Sequence, residues 1–249
     1  MPDSPVNGTN RQIAILIDGD NAQANLIEMI VAETSRYGLA TIRRIYGDWT
    51  TSNMHSWKDT LHVHAFQPIQ QFRYTTGKNA TDSAMIIDAM DILHGAVVNA
   101  FCLVSSDSDF TRLATRIREQ GIFVMGIGNK TTPRAFVNAC EVFVYNENLL
   151  PETDSAKPAS QPRGAKAKSE APAEPLPLIK QAFELSVQDD GWAFLGVVGT
   201  RLRQLDPGFD PRTYGYKQLS HLIRDYSGFE IRENKIRGGP SLVHIRLRD

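Results

Sequence analysis

A run of apolar residues, Ile13-Ala14-Ile15-Leu16-Ile17, breaks off in Asp18-Gly19-Asp20-Asn21. Without polar alternation, such a run reads as a strand buried on both faces, the state of a central strand in a parallel sheet. It stops on acids, an amide and a glycine, where a helix can begin. Open α/β sheets bind ligands in the crevice beyond the carboxyl ends of their strands. This one stretch therefore points both to the fold class and to the sheet edge where chemistry would occur.

The chain repeats the alternation. Helical spacing predicts a helix over Asn21 to Tyr37, with Gly38 as a left-handed stop. β-rich sequence returns over Leu39 to Trp49, a short helix is expected around Trp57 and Leu61, and a third strand over Val63 to Ile69. Gln70 to Asn79 is polar, basic and glycine-containing, the composition of an exposed loop. A helix over Thr81 to His94, a buried strand at Phe101 to Val104 and a helix to Glu119 with a Gly121 stop come next. A strand over Ile122 to Ile127, a helix from Pro133 through Cys140 and a strand over Val142 to Tyr145 complete the series. Strand and helix in alternation argue an α/β domain, a parallel sheet with helices on both faces.

Near Leu150 the character changes. Pro151 to Pro175 is rich in Pro, Ala, Lys and Ser and nearly lacks large apolar residues, so it reads as an extended linker. Beyond it, helices are expected from Leu178 to Leu185, Gly196 to Leu205 and Lys217 to Tyr226. Two β-rich runs follow, Phe229 to Ile236 and Leu242 to Leu247, joined by Arg237-Gly238-Gly239-Pro240. Three helices and a terminal hairpin are the plan of a winged helix. The expected division is 11–149, 150–175 and 176–249, and a chain of 249 residues can bury a larger and a smaller core.

The acids decide more than the overall charge. A net charge of −1 neither requires nor excludes a nucleic-acid partner. Asp18 and Asp20 follow the first strand, Asp107 and Asp109 follow the strand at Leu103, and Asp82 opens a helix at the same edge. Asp88 would lie about 9 Å further along that helix, outside the group. Converging carboxylates repel one another unless a cation joins them. Hard divalent ions, Mg²⁺ or Mn²⁺, take oxygen ligands and keep waters for substrate phosphates. They can activate water and stabilise both oxygens of a phosphodiester displacement. Asp20 and Asp109 also stand where a helix N-cap would, and Asp48 suits a turn. Arg73 and Lys78, in the loop before Asp82, are placed to hold phosphates, with Phe72 or Tyr74 to stack a base. Arg232, Lys235, Arg237, Arg246 and Arg248 on or beside the hairpin suit phosphate contact, diluted by Glu230 and Glu233.

Ile-Asp-Gly-Asp-Asn at 17–21, Lys-Asn-Ala-Thr-Asp-Ser-Ala at 78–84 and Ser-Ser-Asp-Ser-Asp-Phe at 105–110 together resemble the NYN domains, relatives of the PIN nucleases. Thr132-Pro133 through Phe136, Ala139-Cys140 and Tyr145 are similar to the bacterial LabA-like members. The resemblance covers roughly residues 11 to 149. It implies a metal-dependent ribonuclease, with Asp18, Asp82, Asp107 and Asp109 as an acidic pocket for Mg²⁺ or Mn²⁺ and Asn21 as a strand-end amide facing substrate. Asp20 stands where the family varies. The extra glutamate that many PIN nucleases carry between the first and third motifs has no clear counterpart. A second reading therefore stays open: an RNA binder or adaptor whose pocket does not cut.

Gly191-Trp192-Ala193 and Tyr216-Lys217-Gln218-Leu219, with Leu222, resemble the OST-HTH (LOTUS) domain, a winged helix linked to RNA or protein binding. Other enzyme classes fit less well. Asp18-x-Asp20 is similar to haloacid dehalogenase-type hydrolases, but Ala22 stands where they expect Thr or Val. Asp107-x-Asp109 is similar to Toprim folds, but Asp18 stands where they place a glutamate. The six histidines are scattered and suggest no triad. With the histidines scattered, two cysteines leave nothing for a structural zinc site. Cys102 and Cys140 sit in apolar settings that suit reduced thiols. No apolar run spans a bilayer, and Met1 to Arg11 lacks the apolar core of a secretory signal, so a cytoplasmic setting without membrane contact is expected.

Overall fold

The computed structural model describes residues 11–72, 80–150, 174–226, 228–235 and 241–248. The chain divides into two compact units, the first ending at Leu150. In that first unit the strands are β1 (Gln12–Asp18), β2 (Leu39–Gly47), β3 (Gln67–Gln70), β4 (Ala100–Val104), β5 (Phe123–Gly128) and β6 (Val142–Tyr145). Between them run α1 (Ile27–Ser35), α2 (Lys58–His64), α3 (Ala80–His94), α4 (Thr111–Glu119) and α5 (Arg134–Ala139). All neighbouring strands are parallel, in the order β3-β2-β1-β4-β5-β6.

The unbroken apolar run of β1 is explained by two cores, one on each face. Ile13, Ile15 and Ile17 pack with Ile27 and Ile30 of α1, and with Met54 and Trp57. Ala14 and Leu16 pack with Met85 and Ala89 of α3, Leu113 and Ile117 of α4, and Phe136 of α5. Each fully buried large apolar side chain contributes about 1.5–3 kcal/mol. The strand order turns back between β1 and β4: β2 and β3 lie to one side, β5 and β6 to the other. At such a switch point the connecting loops part and leave a crevice.

The structure differs from the sequence expectations in three places. Helix α1 begins at Ile27, six residues later than Asn21; the stretch before it runs as turns, with Ala22 N–H donating to the Asp18 carbonyl at 2.8 Å and a 3₁₀ turn at Ala24–Leu26. Short polar side chains there bond nearby groups and compete with the helix. Gly38 is not left-handed; a Cβ on it would meet the Arg11 carbonyl oxygen at 2.4 Å, so close approach is what it allows. Gly121 does adopt φ +71° after α4. Val63 lies exposed within α2, which ends on left-handed Ala65, and the third strand is only Gln67–Gln70, an edge strand pairing with β2. Asp88 is held by Arg44 and Tyr46 of β2, away from the other acids' edge.

The second unit contains α6 (Leu176–Glu184), β7 (Ala193–Phe194), α7 (Leu195–Leu205), α8 (Leu219–Asp225), β8 (Phe229–Lys235) and β9 (Ser241–Leu247). Its antiparallel sheet has the order β7-β9-β8. Ile179, Phe183, Val198, Leu202, Leu222, Phe229 and Ile245 form one core under that sheet, the packing of a winged helix. Among the described residues no helix is long and apolar enough to cross a membrane.

Candidate active site at the carboxyl edge of the parallel sheet

Asp18 is the last residue of β1, and its side chain is wholly buried. Its Oδ2 accepts hydrogen bonds from Asn21 Nδ2 at 2.7 Å and Ser105 Oγ at 2.9 Å, and its Oδ1 from the Asp20 N–H at 3.2 Å. Three of roughly four lone-pair positions are thereby used. Burial pushes the Asp18 carboxyl above the usual carboxylate range; the Asn21 and Ser105 hydrogen bonds oppose that, and the Asp20 charge adds to it.

Asp82 lies in the first turn of α3 and is also buried, while Asp107 and Asp109 follow β4. One ligand oxygen from each of Asp82, Asp107 and Asp109 falls within 4.8 Å of the other two. The Asp82 carboxyl is pushed up to about 6, first by desolvation and then by the charges of Asp18, Asp107, Asp109 and Asp20, in that order of importance. A cation among such carboxylates would favour their charged forms. Oxygen donors converging this closely fit a hard divalent ion such as Mg²⁺ or Mn²⁺.

The supporting residues sit where sequence gave little signal. Ser105 donates to Asp18 and accepts from the Asp107 N–H at 3.1 Å, so one hydroxyl orients two acids. Asp107, not Asp109, is the cap of the 3₁₀ turn Ser108–Phe110, accepting from the Asp109 N–H at 2.9 Å. Asp20 is not a helix cap; it accepts from Thr81 Oγ1 at 2.9 Å and ties the first turn of α3 to the loop after β1. Replacing that hydroxyl in Thr81→Val is expected to cost about 1 kcal/mol in a urea unfolding curve of the N-terminal unit. Asn21 supports Asp18 by its side-chain amide. Arg73, Tyr74 and Lys78 lie outside the described residues, and Phe72 is exposed. Asp48 accepts from Thr50 N–H, Thr50 Oγ1 and Gln70 Nε2, a turn-holding role.

On the C-terminal sheet, the register sets Arg246 opposite Glu230, and His244 opposite both Arg232 and Phe194. These side chains share one face. The Arg232 and Arg246 guanidinium carbons lie 4.6 and 5.0 Å from the Trp192 ring centroid, and the Phe194 and His244 rings are 5.6 Å apart. Arg246 pairs with Glu230 at 2.7 Å and Arg224 with Glu233, so part of the expected positive field is neutralised. Arg237 lies outside the described residues.

Two family patterns match the chain. Residues 12–150 match the NYN domain, and residues 168–240 match the OST-HTH/LOTUS domain. No curated protein matches it. Among solved structures, a Vibrio parahaemolyticus protein of unknown function is 20% identical, covering 57% of this chain and 96% of its own, with a TM-score of 0.46. An uncharacterized protein from Nitrosomonas europaea, solved by NMR in solution, is 34% identical over 39% of this chain and 90% of its own, with a TM-score of 0.28.

Proposed function

This chain belongs to the NYN-domain family, and from that membership and the clustered acids we propose that it is a Mg²⁺- or Mn²⁺-dependent endoribonuclease with an RNA-binding winged helix. An NYN domain followed by an OST-HTH/LOTUS domain marks an RNA-related, nuclease-type protein. The convergence of Asp82, Asp107 and Asp109 at the switch point of the sheet carries the finer reading.

In this reading Asp82, Asp107 and Asp109 hold the ion. When bound, the ion supplies charge stabilisation at the phosphodiester and lowers the pKa of water. Sequence alone gives Asp18 the same ligand role; its complete burial and three donors support a positioning role instead, as a fixed negative charge beneath the site. Exposed Asp109, while holding the ion, would also orient a water whose oxygen bonds to phosphorus as a ribose oxygen leaves, solvent taking the water's proton and supplying one to the leaving oxygen. Arg73 and Lys78 keep their assignment to phosphate contact on their place in the sequence before α3. The C-terminal domain would raise the local concentration of RNA without tight affinity of its own. Cys102 and Cys140, both free and buried, suit a reducing cytoplasm.

Labelled single-stranded RNA mixed with the full chain and Mn²⁺ tests the reading. The wild type is expected to cut, EDTA to stop it, and Asp18→Asn to slow it by about a hundredfold or more, equivalent to about 2.7 kcal/mol of transition-state stabilisation. Equal cleavage by wild type and Asp18→Asn overturns it. RNA retention with no metal-dependent cleavage favours the adaptor reading.

A further inference from the structure

The stretch from Ala22 to Asn25, which helical spacing would wind into α1, instead walls a cavity of about 390 Å³ beside the acids. Gly19, Asp20, Asn53, Ser56 and Trp57 complete its lining. We propose that this cavity receives one unstacked base of an RNA strand, read by the carboxamides of Gln23, Asn25 and Asn53. The proposal rests on the ribonuclease reading for the presence of an RNA strand at this edge.

The lining selects the ligand class. Among the described residues no lysine or arginine lines the cavity, and the Asp20 carboxylate disfavours a phosphate there. The one carboxylate in the lining, Asp20, already accepts from the Thr81 hydroxyl. What remains is a neutral, polar, flat group. Gln23, Asn25 and Asn53 are all exposed, and none has a side-chain hydrogen bond among the described residues. A carboxamide carries a donor and an acceptor in one plane, the arrangement that pairs with a base edge. Single-stranded RNA is recognised in this way, through splayed-out bases and their hydrogen-bonding edges.

The cavity is also firm and correctly sited. Trp57 is buried, and its Nε1 donates to the Gly19 carbonyl at 3.2 Å, pinning one wall to the loop after β1. Asp20 reaches Thr81 at the start of α3, the helix that carries Asp82. Asp20 thus links the cavity lining to the helix that bears one of the clustered acids. The volume falls within the range of about 300–1,000 Å³ usual for small-ligand pockets, room for a base and part of its ribose.

Nucleosides without phosphate, added to the full-length ¹⁵N-labelled chain in EDTA, separate this proposal from catalysis. Adenosine, guanosine, cytidine and uridine are titrated while the side-chain amide signals of Gln23, Asn25 and Asn53 are followed. The expected result is saturable shifts at these amides, largest for one base, with dissociation constants on the order of 1 mM. Asn53→Ala and, independently, Asn25→Ala should each weaken that base by about fivefold, one neutral hydrogen bond's worth, and flatten the base preference. No saturable shift, or equal shifts for all four nucleosides, overturns the proposal. Base-selective binding by a chain that does not cut RNA would leave the pocket standing and remove the nuclease reading.

Discussion

Asp82→Asn is expected to make the metal-free protein more stable at neutral pH while removing both RNA cleavage and stabilisation by Mn²⁺. The reason is the crowding of acids around it. Asp82 titrates near 6 in the folded chain against 3.8 in the unfolded one, first from desolvation and then from Asp18, Asp107, Asp109 and Asp20. Between those values the folded state binds more protons than the unfolded state, so the contribution to stability falls as pH rises from about 4 to 6 and is then fully lost. An asparagine carries no charge to repel. At pH 7.5 in EDTA the variant's N-terminal unit should therefore melt about 2–5 °C above the wild type. The gap should close toward pH 4.

Mn²⁺ reverses the order. A ligand that binds only the folded state stabilises by about 2.7 kcal/mol at a hundred times its dissociation constant. Wild type should gain that stability on adding Mn²⁺, and the variant should gain little, since one of the three converging carboxylates is gone. Cleavage should fall at least about a hundredfold. Thermal unfolding of both proteins from pH 4 to 8, with EDTA and with Mn²⁺, reads all of this. A variant less stable than wild type in EDTA at pH 7.5 would contradict the picture of a self-repelling site.

The strands and the acids at one edge were legible because each depends on short-range pattern. The buried runs at Ile13–Ile17 and Phe101–Val104 show no alternation, and an acid, Asp18 or Asp107, follows each closely. What was not legible depends on contacts far apart in sequence or on local competition. The bond from Ser105 to Asp18 spans 87 positions, and a serine after a strand carries no sign of it. Spacing at Leu26, Ile27 and Ile30 predicts a helix but not its start, because polar side chains at 18–21 draw the backbone into turns first. Asp107 and Asp109 are both good caps in sequence; only the path of the chain after β4 makes Asp107 the one that accepts the Asp109 N–H. Gly38 stands after a helix, the place of a left-handed stop, yet its use is set by the close approach of the Arg11 backbone.

Gly128→Ala should damage the site without touching an acid. Gly128 ends β5, where a Cβ would meet the Ser105 carbonyl oxygen at 2.5 Å, Thr132 Oγ1 at 2.7 Å and Ser106 Oγ at 3.0 Å. Ser105 cannot retreat freely, since its N–H donates to the Ile127 carbonyl at 3.0 Å and its hydroxyl is committed to Asp18. Overpacking of this kind costs about 1–3 kcal/mol. Because the displaced residue orients both Asp18 and Asp107, RNA cleavage should fall at least about tenfold at temperatures where the variant is fully folded. Gly121→Ala is the control: its φ of +71° makes alanine strained, but nothing lies within 4 Å, so it should lose about 1 kcal/mol and keep its cleavage rate. Thr132→Ala added to Gly128→Ala removes the hydroxyl but not the Ser105 carbonyl, the nearer obstacle. The double variant should therefore recover only a minor part of the lost rate, whereas full recovery would show that Ser105 never moved.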